Sequence, residues 1–263
     1  MLTELLPALK QSRVVLASSS PRRIELVEKH FGIRPTVVVS NFAEDFSKRD
    51  FATAAEYCRA TAITKGIDVA KRHTPAEFDY LVAADSIVVD LTAETVEAAV
   101  IEKAATATEA DHFIHRLRGR RHAVHTAVVV IVPLSSSVRT KARGGEEEEP
   151  SALTDSGASL SSSLPPAETP RVDVRPGDGV VVYSAVETTW VTFAASISDA
   201  DIASYVADYP SAWKGKAGAY GIQDVAALWI EGIAGDYYNV MGLPVRRLAT
   251  VLALAVSEQR RRQ

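Results

Sequence analysis

The run Ser18-Ser19-Ser20-Pro21-Arg22-Arg23 combines hydroxyls with two guanidinium groups, a set suited to holding phosphates. It follows the apolar stretch VVLAS at 14 to 18 and precedes Ile24, Val27 and Phe31 at helical spacing, so it sits where a strand gives way to a helix. A helix N-terminus offers unpaired backbone N–H groups and partial positive charge to an anion. Ser20 is placed as the N-cap and Pro21 as the first helical residue. Arginines in a first helical turn oppose the helix dipole and are unfavourable there without an anion nearby. The G-x-x-x-x-G-K-[ST] and G-x-G-x-x-G patterns are both missing, so phosphate binding and plain capping stay open as readings of this run.

Two further segments carry chemistry. Asp85 lies inside the apolar run YLVAADSIVVD at 80 to 90, and a buried carboxylate costs several kcal/mol unless it has a partner, a metal or a cleft. It reads as a metal ligand or general base, or as a hydrogen-bonding group at a strand end. The segment GKAGAYGIQ, Gly215 to Gln223, joins backbone-permissive glycines to a lysine, a tyrosine and an amide; it suits either a flat polar ligand or a glycine-bulged turn. His112, His115, His122 and His125 make no H-E-x-x-H zinc pattern, and Cys58 falls within an expected helix as a packed thiol. Without a G-x-S-x-G elbow, covalent catalysis has no visible support.

Alternating strand and helix signals position these groups and predict an α/β fold. A strand at 14 to 18 leads into the first helix. An alanine-rich helix spans 51 to 71, a buried strand 80 to 90, and a helix Glu109 to Leu117 ends at Gly119. Valine-rich strands, a strand around TTWVTF, and a helix opened by Ser198-x-x-Asp201 follow; then strand-like segments run to Tyr238, and Pro244 starts a final helix. From about 133 to 178 the composition turns to serine, proline and glutamate with no aromatic residue, which predicts a surface insertion linking neighbouring strands.

The 263 residues are enough for one large core, and 29 Lys and Arg against 33 Asp and Glu give a formal charge of -4. No bulk positive field points to stable nucleic-acid binding. A single cysteine excludes an intramolecular disulfide, the first residues MLTELLPALKQSR lack a secretory pattern, and the longest apolar run, 127 to 134, falls short of the roughly 18 residues of a membrane span. The expectation is a cytoplasmic protein with no membrane contact.

The order of the blocks LASSSPRRIEL (16 to 26), AADSIVV (83 to 89), IEK (101 to 103), RLRGRRHAVHTAV (116 to 128), TTWVTF (188 to 193), KAGAYGIQ (216 to 223) and GDYYNVMGLPV (235 to 245) resembles the Maf family of nucleoside triphosphate pyrophosphatases. The resemblance implies an elongated mixed sheet with flanking helices and a central cleft, like the inosine triphosphate pyrophosphatases. It implies one domain over 1–263 in two lobes, dimeric, cleaving a nucleotide to its monophosphate and pyrophosphate with a divalent metal, Mg²⁺ or Mn²⁺. By position, Asp85 matches the proton acceptor, and Arg22, Ser86 and Gln223 match base-selecting positions in a pattern similar to members preferring dTTP and UTP. Glu44 matches an acidic position that helps Asp85 bind metal, with Asp45 a competitor. Ser18, Ser20, Arg22 and Arg23 are expected to cradle phosphates, and Lys65, Lys103 and Lys216 to supply point charges, Lys103 among the catalytic groups.

The chain departs from the family pattern at Ala83 (commonly glycine), Ser86 (more often threonine), Ala104 (usually proline) and Gly215 (usually aspartate). Substrate preference is most exposed to these changes. The rival readings are a pyrophosphatase for methylated guanosine triphosphate and a regulator of cell division that senses nucleotides without turnover.

Overall fold

The computed structural model describes residues 2–134 and 168–262. The strands are β1 (Val14–Ala17), β2 (Thr36–Val37), β3 (Tyr80–Val89), β4 (Val100–Ile101), β5 (Arg121–Pro133), β6 (Arg171–Arg175), β7 (Val180–Phe193) and β8 (Ile230–Ala234). They form one mixed sheet in the order β2-β1-β3-β5-β7-β6, with β4 added to β3 and β8 to β7. β1 runs parallel to β2 and β3, and every pairing from β3 outward is antiparallel. The β1–β3 ladder ends at Ala17 and Ala83, while β3 continues beside β5 as far as Val89. Asp85 and Ser86 therefore stand just past the carboxyl end of β1, where the sheet changes from parallel to antiparallel, a usual place for a ligand crevice in α/β sheets.

The helices are α1 (Leu2–Lys10), α2 (Pro21–Phe31), α3 (Ala54–Lys71), α4 (Val96–Ala99), α5 (Ala107–Leu117), α6 (Asp199–Asp208), α7 (Pro210–Trp213), α8 (Tyr237–Met241) and α9 (Val245–Arg262). One sheet face packs Val82, Ala84, Val128 and Val130 with residues of α1, α2 and α9. The other packs Ala83, Ile87, Ala127 and Val129 with Tyr57, Cys58 and Ala62 of α3. Successive strand residues point to opposite faces, so β3 delivers Asp85 to the α3 layer and Ser86 to the α2 layer. The spacing of α3 from the sheet depends on Gly66, where a Cβ would come within 2.7 Å of Ile131 Cδ1 and 3.2 Å of Ala83 Cβ. That close approach brings Lys65 down onto β3.

Several boundaries differ from the sequence reading. α2 begins at Pro21 after Ser20, as expected, but the Ser20 side chain caps nothing; the Ser18 hydroxyl instead accepts from Ser20 N at 3.2 Å. The helix after Ser198 opens with the expected reciprocal capping box. The expected strand-like stretch through Tyr238 breaks after β8, because Asp236 caps a short helix that Gly242 ends in a left-handed conformation. β5 and β7 are neighbours, as their valine runs suggested. The proposed insertion limits need correction at both ends: Pro133 is still in β5, and Arg171–Arg175 is strand β6 on the outer edge of β7. The serine and glutamate runs at 135–167 lie outside the described residues. Among the described residues no helix is long and apolar enough to cross a membrane.

His122 is buried in β5 with its Nε2 2.8 Å from the Tyr220 hydroxyl and its ring against Phe193. Burial disfavours the charged imidazolium and lowers its pKa to about 4. An unfolded chain takes up this proton as pH falls through 6.5, whereas the folded chain resists until about 4, so stability is lost across that window. The expected loss from this group is about 3 kcal/mol. Urea unfolding measured between pH 7 and 4 is expected to show a shallower decline for His122→Gln than for the parent chain.

Candidate active site

One cleft of about 380 Å³ is lined by Ser18, Ser20, Arg22, Arg23, Glu44, Lys65, Asp85, Ser86, Lys103, Lys216 and Gln223, whereas Asp45, the competitor to Glu44, is not among its lining residues. At its centre, Lys65 Nζ of α3 lies 2.7 Å from Asp85 Oδ1 and 2.6 Å from Glu44 Oε2. The lysine and aspartate are buried, at 8% and 6% exposure, so this pairing is made with little water to screen it. Among the described residues nothing donates a hydrogen bond to the second Asp85 oxygen. Burial would raise the Glu44 carboxyl, but the hydrogen bond and charge of Lys65, with the charges of Lys103 and Arg23, hold it below its ordinary value.

Glu44 reaches this point from a loop with a positive φ of 55°, a strained conformation for a residue with a side chain. The loop is fastened at one end by Asp68, which accepts from Asn41 N at 2.8 Å and Ser40 Oγ at 3.0 Å. At the other end Phe42, Phe46, Phe51 and Tyr57 stack in sequence with ring centroids 4.9, 5.9 and 5.4 Å apart. Glu102 then joins this loop to the segment bearing Lys103, accepting from Lys48 Nζ at 2.7 Å and the Tyr57 hydroxyl at 2.5 Å. Lys103 is left as a forward cation, 55% exposed and 3.9 Å from Glu44 Oε1.

Two cations expected to meet phosphate are committed elsewhere. Arg23 donates to the carbonyls of Gly242 and Ala84, each at 2.8 Å, and to Ser86 Oγ at 2.9 Å. It bolts the start of α2 to β3 and to the turn after α8, and burial lowers its pKa. Lys216 donates to the Ser211 and Ala212 carbonyls at 2.6 and 2.8 Å and to Asp224 Oδ2 at 2.5 Å, which uses all three of its protons. Both line the cleft as parts of its frame. Arg22 and Lys103 keep donors turned to solvent, and the buried Ser18, exposed Ser19 and half-buried Ser20 border the same opening. Ser86 Oγ lies on the other side of β3 from Asp85, 2.9 Å from Thr126 Oγ1.

Glu102, Thr126, Asp224 and the Gly242 carbonyl are the groups sequence reasoning missed. The sequence signal for Glu102 and Asp224 was position alone, inside IEK and directly after GIQ. Cys58 is inert as expected, its thiol donating to the Asp85 carbonyl at 3.4 Å and pushed well up by burial.

The profile of the family described as Maf-like protein matches residues 13–153 and 172–255. The chain belongs to this family. It is 30% identical over 254 residues to a "dTTP/UTP pyrophosphatase" of Schizosaccharomyces pombe, covering 95% of this chain and 86% of that protein. It is 31% identical over 247 residues to a "dTTP/UTP pyrophosphatase" of Koribacter versatilis, covering 92% and 94%. A human relative named "Probable bifunctional dTTP/UTP pyrophosphatase/methyltransferase protein" is 30% identical over 247 residues, and the match covers 93% of this chain and 32% of that longer protein.

As a Maf-like chain, this one makes Lys65 the group that ties the buried Asp85 to the exposed Glu44. Lys65→Met removes the cation bonded to both, and the Glu44 carboxyl, left with only the more distant Lys103 and Arg23, is expected to titrate higher than in the parent chain. Carboxyl ¹³C shifts followed against pH check this. Arg23→Lys keeps the charge but loses the fork geometry, and a stability loss of roughly 2 kcal/mol in thermal unfolding is expected.

Proposed function

We propose that this chain is a nucleoside triphosphate pyrophosphatase acting on dTTP, UTP or related pyrimidine nucleotides, releasing the monophosphate and pyrophosphate. The relatives bearing that name cover nearly the whole chain. The observation that carries the reading is one buried carboxylate, Asp85, paired with Lys65 and sharing a cleft with Arg22 and Lys103. A triphosphate brings about four negative charges, and attack at its α phosphorus builds more on the departing pyrophosphate. The donors still open to solvent, Arg22, Lys103 and the N-terminal end of α2, are the ones to receive it.

Asp85 supplies the base. Its Oδ1 is fixed by Lys65, and its other oxygen is open to take a proton from a water attacking in line. The lysine holds the carboxylate in one orientation, and Lys103 meets charge developing on the phosphate oxygens. The Glu44 and Asp85 pair also fits a divalent cation. Mg²⁺ is commonly held by one or two carboxylates together with substrate phosphates and water, and the described residues contain no cluster of three or more ligating side chains that would make a complete cage. Glu44 and Asp85 would hold it. When bound, Mg²⁺ or Mn²⁺ would neutralise phosphate charge and acidify a coordinated water.

Arg22, Ser86 and Gln223 line the same cleft, and Arg22 and Gln223 are the groups that would meet the base, while Ser86 is held by Arg23. The sheet is of the inosine triphosphate pyrophosphatase kind, and the enzyme works in the cytoplasm.

Incubation of the purified chain with a panel of nucleoside triphosphates and Mg²⁺ or Mn²⁺ is expected to yield monophosphate and pyrophosphate, with dTTP and UTP turned over fastest. Asp85→Asn is expected to lower kcat about 10²- to 10⁴-fold. Diphosphate with orthophosphate as products would place attack at the γ phosphorus and sink the mechanism; nucleotide binding without products would favour a sensor.

A further inference from the structure

Asp224 does not line the cleft, yet two of the cations that do lie against it. Its Oδ2 is 2.5 Å from Lys216 Nζ and 3.5 Å from Arg22 Nη1. Lys216, with its remaining protons on the Ser211 and Ala212 carbonyls, acts as a fixed peg for this carboxylate. The backbone holds the same spot: Asp224 N donates to the Gly221 carbonyl at 3.0 Å, and Ala227 N donates to the Asp224 carbonyl at 2.9 Å. Gln223 thus sits inside a turn fixed on both sides. Gly221 is what makes room, since a Cβ there would lie 2.2 Å from Asp224 Oδ2 and 3.1 Å from Arg22 Nη1.

We infer that Asp224 is a positioning residue that aims the Arg22 guanidinium across the cleft and thereby sets the preference between pyrimidine and purine bases. The inference rests on the reading of Arg22 as a base contact. A guanidinium is a planar fork whose donors match acceptors only in its own plane. Drawn at one edge toward the Asp224 carboxylate 3.5 Å away, it presents its remaining N–H groups in one direction, which suits the carbonyl acceptors of one base shape. Released, it can turn to serve several. Removing the carboxylate also removes a negative charge near a polyanion site, so general attraction for nucleotides does not fall. The signature is lost discrimination with binding preserved, unlike the broad loss that follows a damaged fold.

The test compares the full-length parent chain with Asp224→Asn, Arg22→Ala and the double variant, reading kcat/KM for UTP against GTP and binding of their α,β-methylene analogues by calorimetry. Asp224→Asn is expected to lower the UTP-over-GTP ratio about 10-fold while kcat for UTP stays within about threefold. The double variant is expected to match Arg22→Ala, because a group acting through Arg22 has nothing left to act on. An unchanged ratio in Asp224→Asn with a lowered ratio in Arg22→Ala overturns the positioning role alone. An unchanged ratio in Arg22→Ala overturns the base-contact reading and the inference with it. Calorimetry gives the same comparison without turnover. If Asp224→Asn does not fold, Asp224→Ser, which removes the carboxylate with a smaller polar side chain, is read in the same way.

Discussion

The site depends on one ammonium group held between two acids under the cover of the sheet. Lys65 is 2.7 Å from Asp85 and 2.6 Å from Glu44, and without it the buried Asp85 carboxylate would lose its bonded cation where water screens it poorly. Much of the surrounding structure serves that placement. Gly66 sets the height of α3 above the sheet, β3 presents Asp85 on the α3 face, and the aromatic stack with Asp68 holds the strained Glu44 loop in reach. Gly66, β3 and the aromatic stack are uncharged packing arrangements whose effect is felt through a charge.

The cleft also divides its cations into framework and working groups. Lys216 has all three donors filled and Arg23 most of its five, by backbone carbonyls and protein side chains, so they fix loops. Lys103 is half exposed, with Glu44 at 3.9 Å as its ion-pair partner among the described residues. A count of positive residues in a motif therefore overstates the number free to bind a phosphate, because a buried cation must satisfy its own hydrogen bonds first.

What was legible in the sequence follows the same logic. The start of α2, the capping box at Ser198 and the valine strands are local signals, and each formed where residue type and spacing placed it. Asp85 stood out because an acid in an apolar strand needs an explanation. The role of Arg23 was not legible, since its acceptors are carbonyls of Ala84 and Gly242, which carry no side-chain signature and lie far away in sequence. Asp224 was hidden for a related reason: its partner Arg22 belongs to the opposite end of the chain. Strand β6 was lost in a serine- and proline-rich stretch, where composition outweighed the alternation of RVDVR. Helix α8 was read as extended because aromatic residues favour strands, while its caps at Asp236 and Gly242 decided otherwise.

The alternation of Asp85 and Ser86 along β3 has a bearing on how such a protein diverges. Adjacent residues answer to different layers: the acid to α3, the hydroxyl to α2 and the turn at Gly242. Mutations accumulating in the second layer can reshape the α2 side of the cleft while the Lys65–Asp85 pair in the first stays intact. A lineage built on this sheet can therefore alter one wall independently of the other, provided that the strand itself neither gains nor loses a residue.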